Sequence, residues 1–217
     1  VIYRRPISQS TIETDTVPMG DIVSDLMREA GYALTDFDRS ALDDINLLGY
    51  VRTRPMAARA ALEPLRTVGF WDAADLAGVY TFVPRGGAIA KTLVDDELGA
   101  RFDGENQTPN VTTRKIHEMD LPRQIRLHYI ALSRDYEPGE QPSTARIETE
   151  SQNDQDVEIA IVMTDDHAAQ VAEIIHSDAW YSRWIHEASI GTEHLDLWPT
   201  SVVGLPVDDE VQRVRII

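Results

Sequence analysis

The sequence predicts an α+β chain: a small helix–strand–helix–hairpin module over residues 1–90, then a mostly β module over 91–217 with one long helix at 165–187. Three observations carry this reading. In MGDIVSDLMREAG (19–31) the apolar residues Ile22, Val23, Leu26, Met27 and Ala30 recur at helical spacing. In LPRQIRLHYIALSRDY (121–136), Ile125, Leu127 and Tyr129 alternate with Arg126 and His128, the period of a half-buried strand. The stretch that follows, 134–156, is polar and acidic and predicts an insertion with no core of its own.

The opening fifteen residues are polar, β-branched and extended in character. Asp21 suits the first turn of the helix after Met19-Gly20, because a carboxylate favours the positive end of the helix dipole, and Gly31 is a natural stop. LLGYVRTR (47–54) reads as a strand. Pro55-Met56-Ala57 then opens a second helix, which Pro64 shortens or kinks because proline cannot donate to the preceding turn. FWDAADLAGVYTFVPRG (70–86) places two apolar runs around a turn near Asp75 to Gly78 and predicts a hairpin.

Residues 87–114 read as a linker, with KIHEMDL (115–121) and PRQIRLHYIAL (122–132) as strands after it. Between Arg134 and Asp166 stand ten carboxylates against two arginines, and VEIAIVM (157–163) is the strand expected there. A connection from Asp135 to Asp156 without a strand is longer than ordinary loops and predicts a functional loop or local disorder. Thr164 caps the long helix with Asp165 and Asp166 in its first turn; Ala168, Val171, Ala172, Ile175 and Ala179 form its stripe. LDLWPTSVVGLP (195–206) and VQRVRII (211–217) read as strands split by a turn at Asp208-Asp209. The chain lacks an initiator methionine and stops inside an apolar run, so both ends are expected to be cuts in a longer polypeptide.

Composition narrows the function. With 20 basic and 37 acidic residues, the formal charge of −17 repels phosphate backbones and argues against specific nucleic-acid binding. The absence of cysteine excludes disulfides, thiolate metal sites and cysteine nucleophiles. No apolar run reaches the roughly 20 residues of a membrane helix.

Candidate chemistry is weak throughout. A glycosidase needs two carboxylates with divergent pKa values, but in a chain this acidic pairs are too common to discriminate. His117, His128, His167, His176, His186 and His194 lack the i, i+4 spacing of a helical zinc site, and satisfied core or surface histidines are the better account. Asn153-Asp154-Gln155-Asp156 begins like a calcium loop but lacks its later glycine and closing glutamate. Asn106-Gln107-Thr108 and Asn110-Val111-Thr112 are chance glycosylation sequons. Pro84-Arg85-Gly86-Gly87 is a turn without a phosphate-loop continuation. Trp180 and Trp184, one helical turn apart, form either a carbohydrate platform or, more commonly, packing. No catalytic, cofactor-binding or metal-ligating residue is assigned, and no enzymatic activity is expected.

The order of segments resembles the "putative phage tail protein" domain, found in tail-tip attachment proteins of long-tailed phages (the lambda J type) and in the baseplate hub protein of gene transfer agents. The resembling stretches are MGDIVSDLMREAG (19–31), GYVRTRPMAARAALEPLRTVGF (49–70), VYTFVPRG (79–86) and EMDLPRQIRLHYIALSRDYEP (118–138), followed by AAQVAEIIHSDAWYSR (168–183) and LDLWPTSVVGLPVDDEVQRVRI (195–216). The first module also resembles the unit in late-control and hub proteins of contractile tails. The resemblance implies a barrel-like second module and a virion structural protein at the tail tip, assembled in the bacterial cytoplasm. It further implies a homotrimeric ring that caps the tail tube, joins distal-tail, hub and tip-fibre proteins and lets DNA pass through its lumen. A receptor- or glycan-binding module, or a cell-wall-degrading domain of the same particle, is the alternative. An acidic wall facing such a lumen would repel DNA, which would give 134–156 a role.

Overall fold

The computed structural model describes residues 16–100, 110–208 and 210–217; the opening residues, the Asn106 sequon and Asp209 of the predicted turn lie outside them. The first elements are β1 (Val17–Pro18), α1 (Met19–Glu29), β2 (Phe37–Asp38), β3 (Asn46–Leu47), β4 (Gly49–Tyr50) and α2 (Ala58–Gly69). The hairpin strands β5 (Trp71–Leu76) and β6 (Val79–Pro84) follow, then β7 (Lys91–Thr92) and β8 (Val111–Lys115). The chain continues through β9 (Gln124–Ala131), β10 (Glu137–Pro142), β11 (Asp154–Met163) and α3 (Asp165–Tyr181). It closes with β12 (Trp184–Ala188), β13 (Val202–Val207) and β14 (Glu210–Arg215). The fold is α+β, as predicted, but its sheets are open and no closed barrel forms among the described residues.

The central sheet has the order β10-β9-β11-β4. Along β9 the side chains alternate between half-buried and buried, with Ile125, Leu127, Tyr129 and Ala131 facing inward. β10 returns antiparallel on one side of β9, and β11 runs parallel to it on the other. The inner face of the sheet packs against α3, whose Ala168, Val171, Ala172, His176 and Trp180 are buried. Thr164 caps α3 by accepting the His167 N–H at 3.3 Å.

One large core joins Met19, Ile22, Val23, Leu26 and Met27 of α1 and Leu65 of α2 to Leu127, Ile161 and Met163 of the sheet, so it draws on residues from both sides of residue 90. Trp71 lies edge-on to Phe82 and donates its indole N–H to the Met19 sulfur at 3.1 Å. A smaller cluster of Leu93, Leu98, Leu205 and Val207 lies under the sheet of order β14-β13-β7.

The predicted hairpin turn forms with Ala77 at φ 56 and Gly78 at φ 89, the left-handed pair that a two-residue turn demands, and Asp75 accepts the Gly78 N–H. Pro64 sits inside α2. In the turn before that proline, the buried Tyr50 hydroxyl donates to the Ala61 carbonyl at 2.8 Å, so tertiary packing supports a helix that propensity alone would shorten. The strand expected over 47–54 is reduced to β3 and β4, and the one expected over 115–121 lies earlier, as β8.

Two expectations are corrected in the second half. The helix expected to reach residue 187 ends at Tyr181, because Trp184–Ala188 pairs antiparallel with β8 and inter-strand bonding wins over helical pattern. The acidic stretch 134–156 is not strandless. It contributes β10 and the first residues of β11, and Ser143 and Ser151 anchor the loop between them. The Ser143 hydroxyl accepts the Ile125 N–H at 2.9 Å, while the Ser151 hydroxyl donates to the Leu121 carbonyl.

The outer edge of β10 is closed chemically. Ser143 N–H bonds to the Ile125 carbonyl, which continues the register in which odd-numbered residues point their N–H groups at β9. Pro138 and Pro142 therefore occupy outward-facing positions, where a missing N–H denies a donor to any added strand.

Replacing Tyr50 with phenylalanine should cost about 1 kcal/mol, the net worth of one buried hydrogen bond, read as a lower urea midpoint at unchanged m-value.

Candidate functional site

The densest polar site is a node of charges where the two halves of the chain meet. Asp72 on β5 accepts from Arg66 of α2 at 3.0 Å, from Arg85 after β6 at 2.9 Å, and from Arg215 of β14. Arg85 reaches onward to Asp178 of α3 at 2.8 Å. Arg213 of β14 donates to the carbonyls of Gly86 and Gly87, so the Pro84–Gly87 turn holds a guanidinium rather than a phosphate. Burial alone would raise the Asp72 pKa, but the guanidiniums of Arg85, Arg215 and Arg66 outweigh it and hold the carboxyl below its ordinary value. An open cleft beside the node is lined by Arg66, Thr67, Phe70, Arg85, Ile175 and Asp178, and its charged groups are already spent on one another.

The other carboxylates with displaced pKa values, Glu29, Asp38 and Glu118, are also displaced downward. The first-ranking causes are hydrogen bonds from Arg52, Ser40 and Thr149 respectively. A general acid needs the opposite displacement, so these four are unsuited to that role. Within 134–156, Asp154 pairs with Arg123 at 2.9 Å and Arg126 at 2.8 Å, so the residues that began like a calcium loop form strand-borne ion pairs instead. Asp156 lies 3.6 Å from His128, and Glu140 lies 3.9 Å from it on the other side.

The histidines stay apart, and no cluster of three metal-competent side chains exists among the described residues. His176 is buried and satisfied, with Nδ1 3.1 Å from the Ser143 hydroxyl and Nε2 3.1 Å from the Pro122 carbonyl. His186 meets the Thr113 hydroxyl, and His117 accepts the Met119 N–H. Burial lowers the pKa of His167. His194 departs from the expectation of satisfied histidines: its Nδ1 meets Lys91 at 2.9 Å, but its buried Nε2 has no hydrogen-bond partner, with Glu97 and Glu193 each 3.8 Å away. Only the long-range packing of Lys91 and Glu97 shows this, and the sequence carried no signal for it.

The two tryptophans do not form a platform. Trp180 is buried and donates its N–H to the Pro122 carbonyl at 2.8 Å, while Trp184 belongs to β12 and is partly exposed. Lys115 lies over the Trp184 ring, and Arg146 and Arg183 over that of Trp180.

This architecture is shared with solved proteins from a gene transfer agent particle and from a prophage. Over 93% of its length the chain matches a protein described in "Virion of native gene transfer agent (GTA) particle", with a TM-score of 0.79 at 20% identity. It also matches the prophage MuSo2 43 kDa tail protein from Shewanella oneidensis over 91% of its length, with a TM-score of 0.58 at 8% identity. The chain spans 48% of the first protein and 59% of the second, and at these identities the likeness is one of fold. No curated protein matches it in sequence. The class is that of phage tail proteins. The chain belongs to the family described as "Putative phage tail protein", which matches residues 57–217.

Asp72→Asn should destabilise the fold by about 2 kcal/mol, since three guanidiniums lose a shared counter-charge in a partly buried site and Arg215 is left without its partner. Because the folded-state pKa lies below the unfolded one, Asp72 contributes its full stability above the ordinary carboxyl pKa and loses it as pH falls through the folded value. The parent should therefore lose stability below about pH 4 more steeply than the D72N variant, measured by urea titrations across pH. Trp180→Ala should cost about 3–5 kcal/mol, whereas Trp184→Ala should cost under half of that, as compared by thermal melts.

Proposed function

We propose that this chain is a segment of a tail-tip or baseplate hub protein that works by assembly and not by turnover. It forms a ring, a homotrimer in the particle, that caps the tail tube and links it to the host-contacting tip. Its neighbours are the distal-tail, hub and tip-fibre proteins, and DNA passes through the lumen they share. The observation that carries this reading is the match of nearly the whole chain, in order, to a protein of a gene transfer agent virion. The family membership over residues 57–217 supports it. So does the chemistry of the polar groups, which tie elements together instead of converging on an empty pocket. The full-length protein assembles in the bacterial cytoplasm before joining the particle.

In this reading the acidic positions of β10 and β11 face the lumen, where negative charge keeps DNA from adhering. Exposed Glu137 and Glu140 on an edge where Pro138 and Pro142 withhold donors from another strand suit a wall better than a joint. Electron microscopy of the full-length parent should show rings that bind tail tubes. Particles without rings or tube association would overturn the proposal, and a ring with residues 135–156 wholly on its outer surface would overturn the lumen assignment alone.

A further inference from the structure

One corner of the surface differs from the rest. The chain carries 37 acidic residues against 20 basic ones, yet Lys115, Arg146 and Arg183 gather around two indole rings. Lys115 Nζ lies 4.7 Å from the Trp184 ring centre and the Arg146 guanidinium 4.3 Å from that of Trp180. Arg183 lies between the rings, at 5.4 Å from Trp180 and 5.7 Å from Trp184. Among the described residues these three cations form no ion pair, which is equally true of others such as Arg54, Arg59 and Arg114; what sets them apart is that they lie over indole rings. The neighbouring carboxylate, Glu118, is engaged by the Thr149 hydroxyl and the Glu150 N–H, with Arg183 and Lys115 contributing at longer range.

Exposed apolar side chains lie near these cations along the chain: Ile147 is 94% exposed, Tyr181 80%, Met119 58% and Trp184, under Lys115 and Arg183, 45%. Internal packing accounts for none of these exposures. Arginine mixed with tryptophan, tyrosine and methionine is the composition of a protein–protein contact, not of a surface kept soluble by charge.

The same corner offers backbone. Among the described residues β8 and β12 pair only with each other, from Trp184 opposite Lys115 to Ala188 opposite Val111, and each has one edge without a strand neighbour. A two-stranded ribbon is marginal alone and gains from a third strand. Neither strand contains proline, in contrast to the closed edge of β10. Open strand edge, unpaired cations and exposed apolar groups thus coincide.

We propose that the β8–β12 ribbon and its cation–aromatic rim are the docking site for an acidic, extended segment of another polypeptide. The segment adds as a third strand and sets its carboxylates against Lys115, Arg146 and Arg183, and its apolar side chains against Tyr181, Trp184 and Ile147. A sugar fits less well, because the cations already cover the indole faces that would stack on it. A long polyanion fits less well because the −17 charge repels it along its whole length, while a short segment feels mainly the local cations. The site goes beyond ring formation and stands or falls for the chain by itself.

The test uses a fluorescent peptide of alternating glutamate and valine, titrated against the purified chain by anisotropy. A lysine–valine peptide, a glutamate–proline peptide and heparin serve as comparators. Saturable binding of the glutamate–valine peptide is expected, weakened about tenfold by added salt and about tenfold in K115Q/R183Q. The lysine–valine and glutamate–proline peptides should not bind. The single variant K115Q, at an exposed position, should weaken binding in the same direction while keeping the parent's circular dichroism and urea midpoint. Equal binding of heparin, lost in the same variants, would make the corner a general polyanion site and overturn the proposal. So would self-association of the chain that disappears in K115Q/R183Q, since the occupant would then be a second copy. Absence of peptide binding up to millimolar concentration also overturns it.

Discussion

The parallel pairing of β9 with β11 is the constraint on which the rest of the structure depends. Two parallel strands cannot be joined by a tight turn; the chain must leave the sheet and return. Here it leaves by folding β10 back along the far edge of β9, then crosses through residues 143–153 to enter β11 on the other side. That path explains the buried polar groups of the crossing. Ser143 and Ser151 close backbone hydrogen bonds that no strand neighbour can reach, and His176 and Trp180 of α3 both bond to the Pro122 carbonyl where β9 begins. The helix therefore packs the sheet and also fixes the end of its central strand.

A second tie holds the smaller sheet to this body. The cluster of Leu93, Leu98, Leu205 and Val207 is small, and β7 contributes only Lys91 and Thr92 to its sheet. Arg215 and Arg213 of β14 reach across to Asp72 and to the turn after β6, which supplies in charged hydrogen bonds what the apolar contact lacks. Asp72 tolerates burial because three guanidiniums share it; alone, the same carboxylate would favour protonation.

How much of this was legible depended on range. The alternation in β9, the caps of α3, the Gly31 stop and the Ala77-Gly78 turn are local, and the sequence declares them through period, capping residue and backbone preference. β10 was hidden because EPGEQP has no apolar alternation; an edge strand with one face in water and two prolines reads as a loop until its partner is known. The same holds for Trp184–Ala188, where helical spacing favoured continuation of α3 and pairing with β8 decided otherwise. The Asp72 node joins residues up to 143 positions apart, and the rim of Lys115, Arg146 and Arg183 comes from one strand and two separate connections. In a chain with 37 carboxylates no sequence pattern distinguishes the one that ties the fold from those that only carry charge.

The distribution of charge follows from these constraints. Where carboxylates meet the sheet, as with Asp154 against Arg123 and Arg126, or at the Asp72 node, cations neutralise them and the pair serves the fold. Where carboxylates stand on the β10 edge, proline removes two of the three outward donors that would invite another strand, so the edge is both repulsive and poorly suited to pairing. At the β8–β12 ribbon, by contrast, cations are left over beside an edge that keeps its donors. A chain built to associate indiscriminately would leave both edges open. Among the described residues this one blunts the acidic edge with proline and leaves the β8–β12 edge without a strand neighbour, which gives association a direction before any partner arrives.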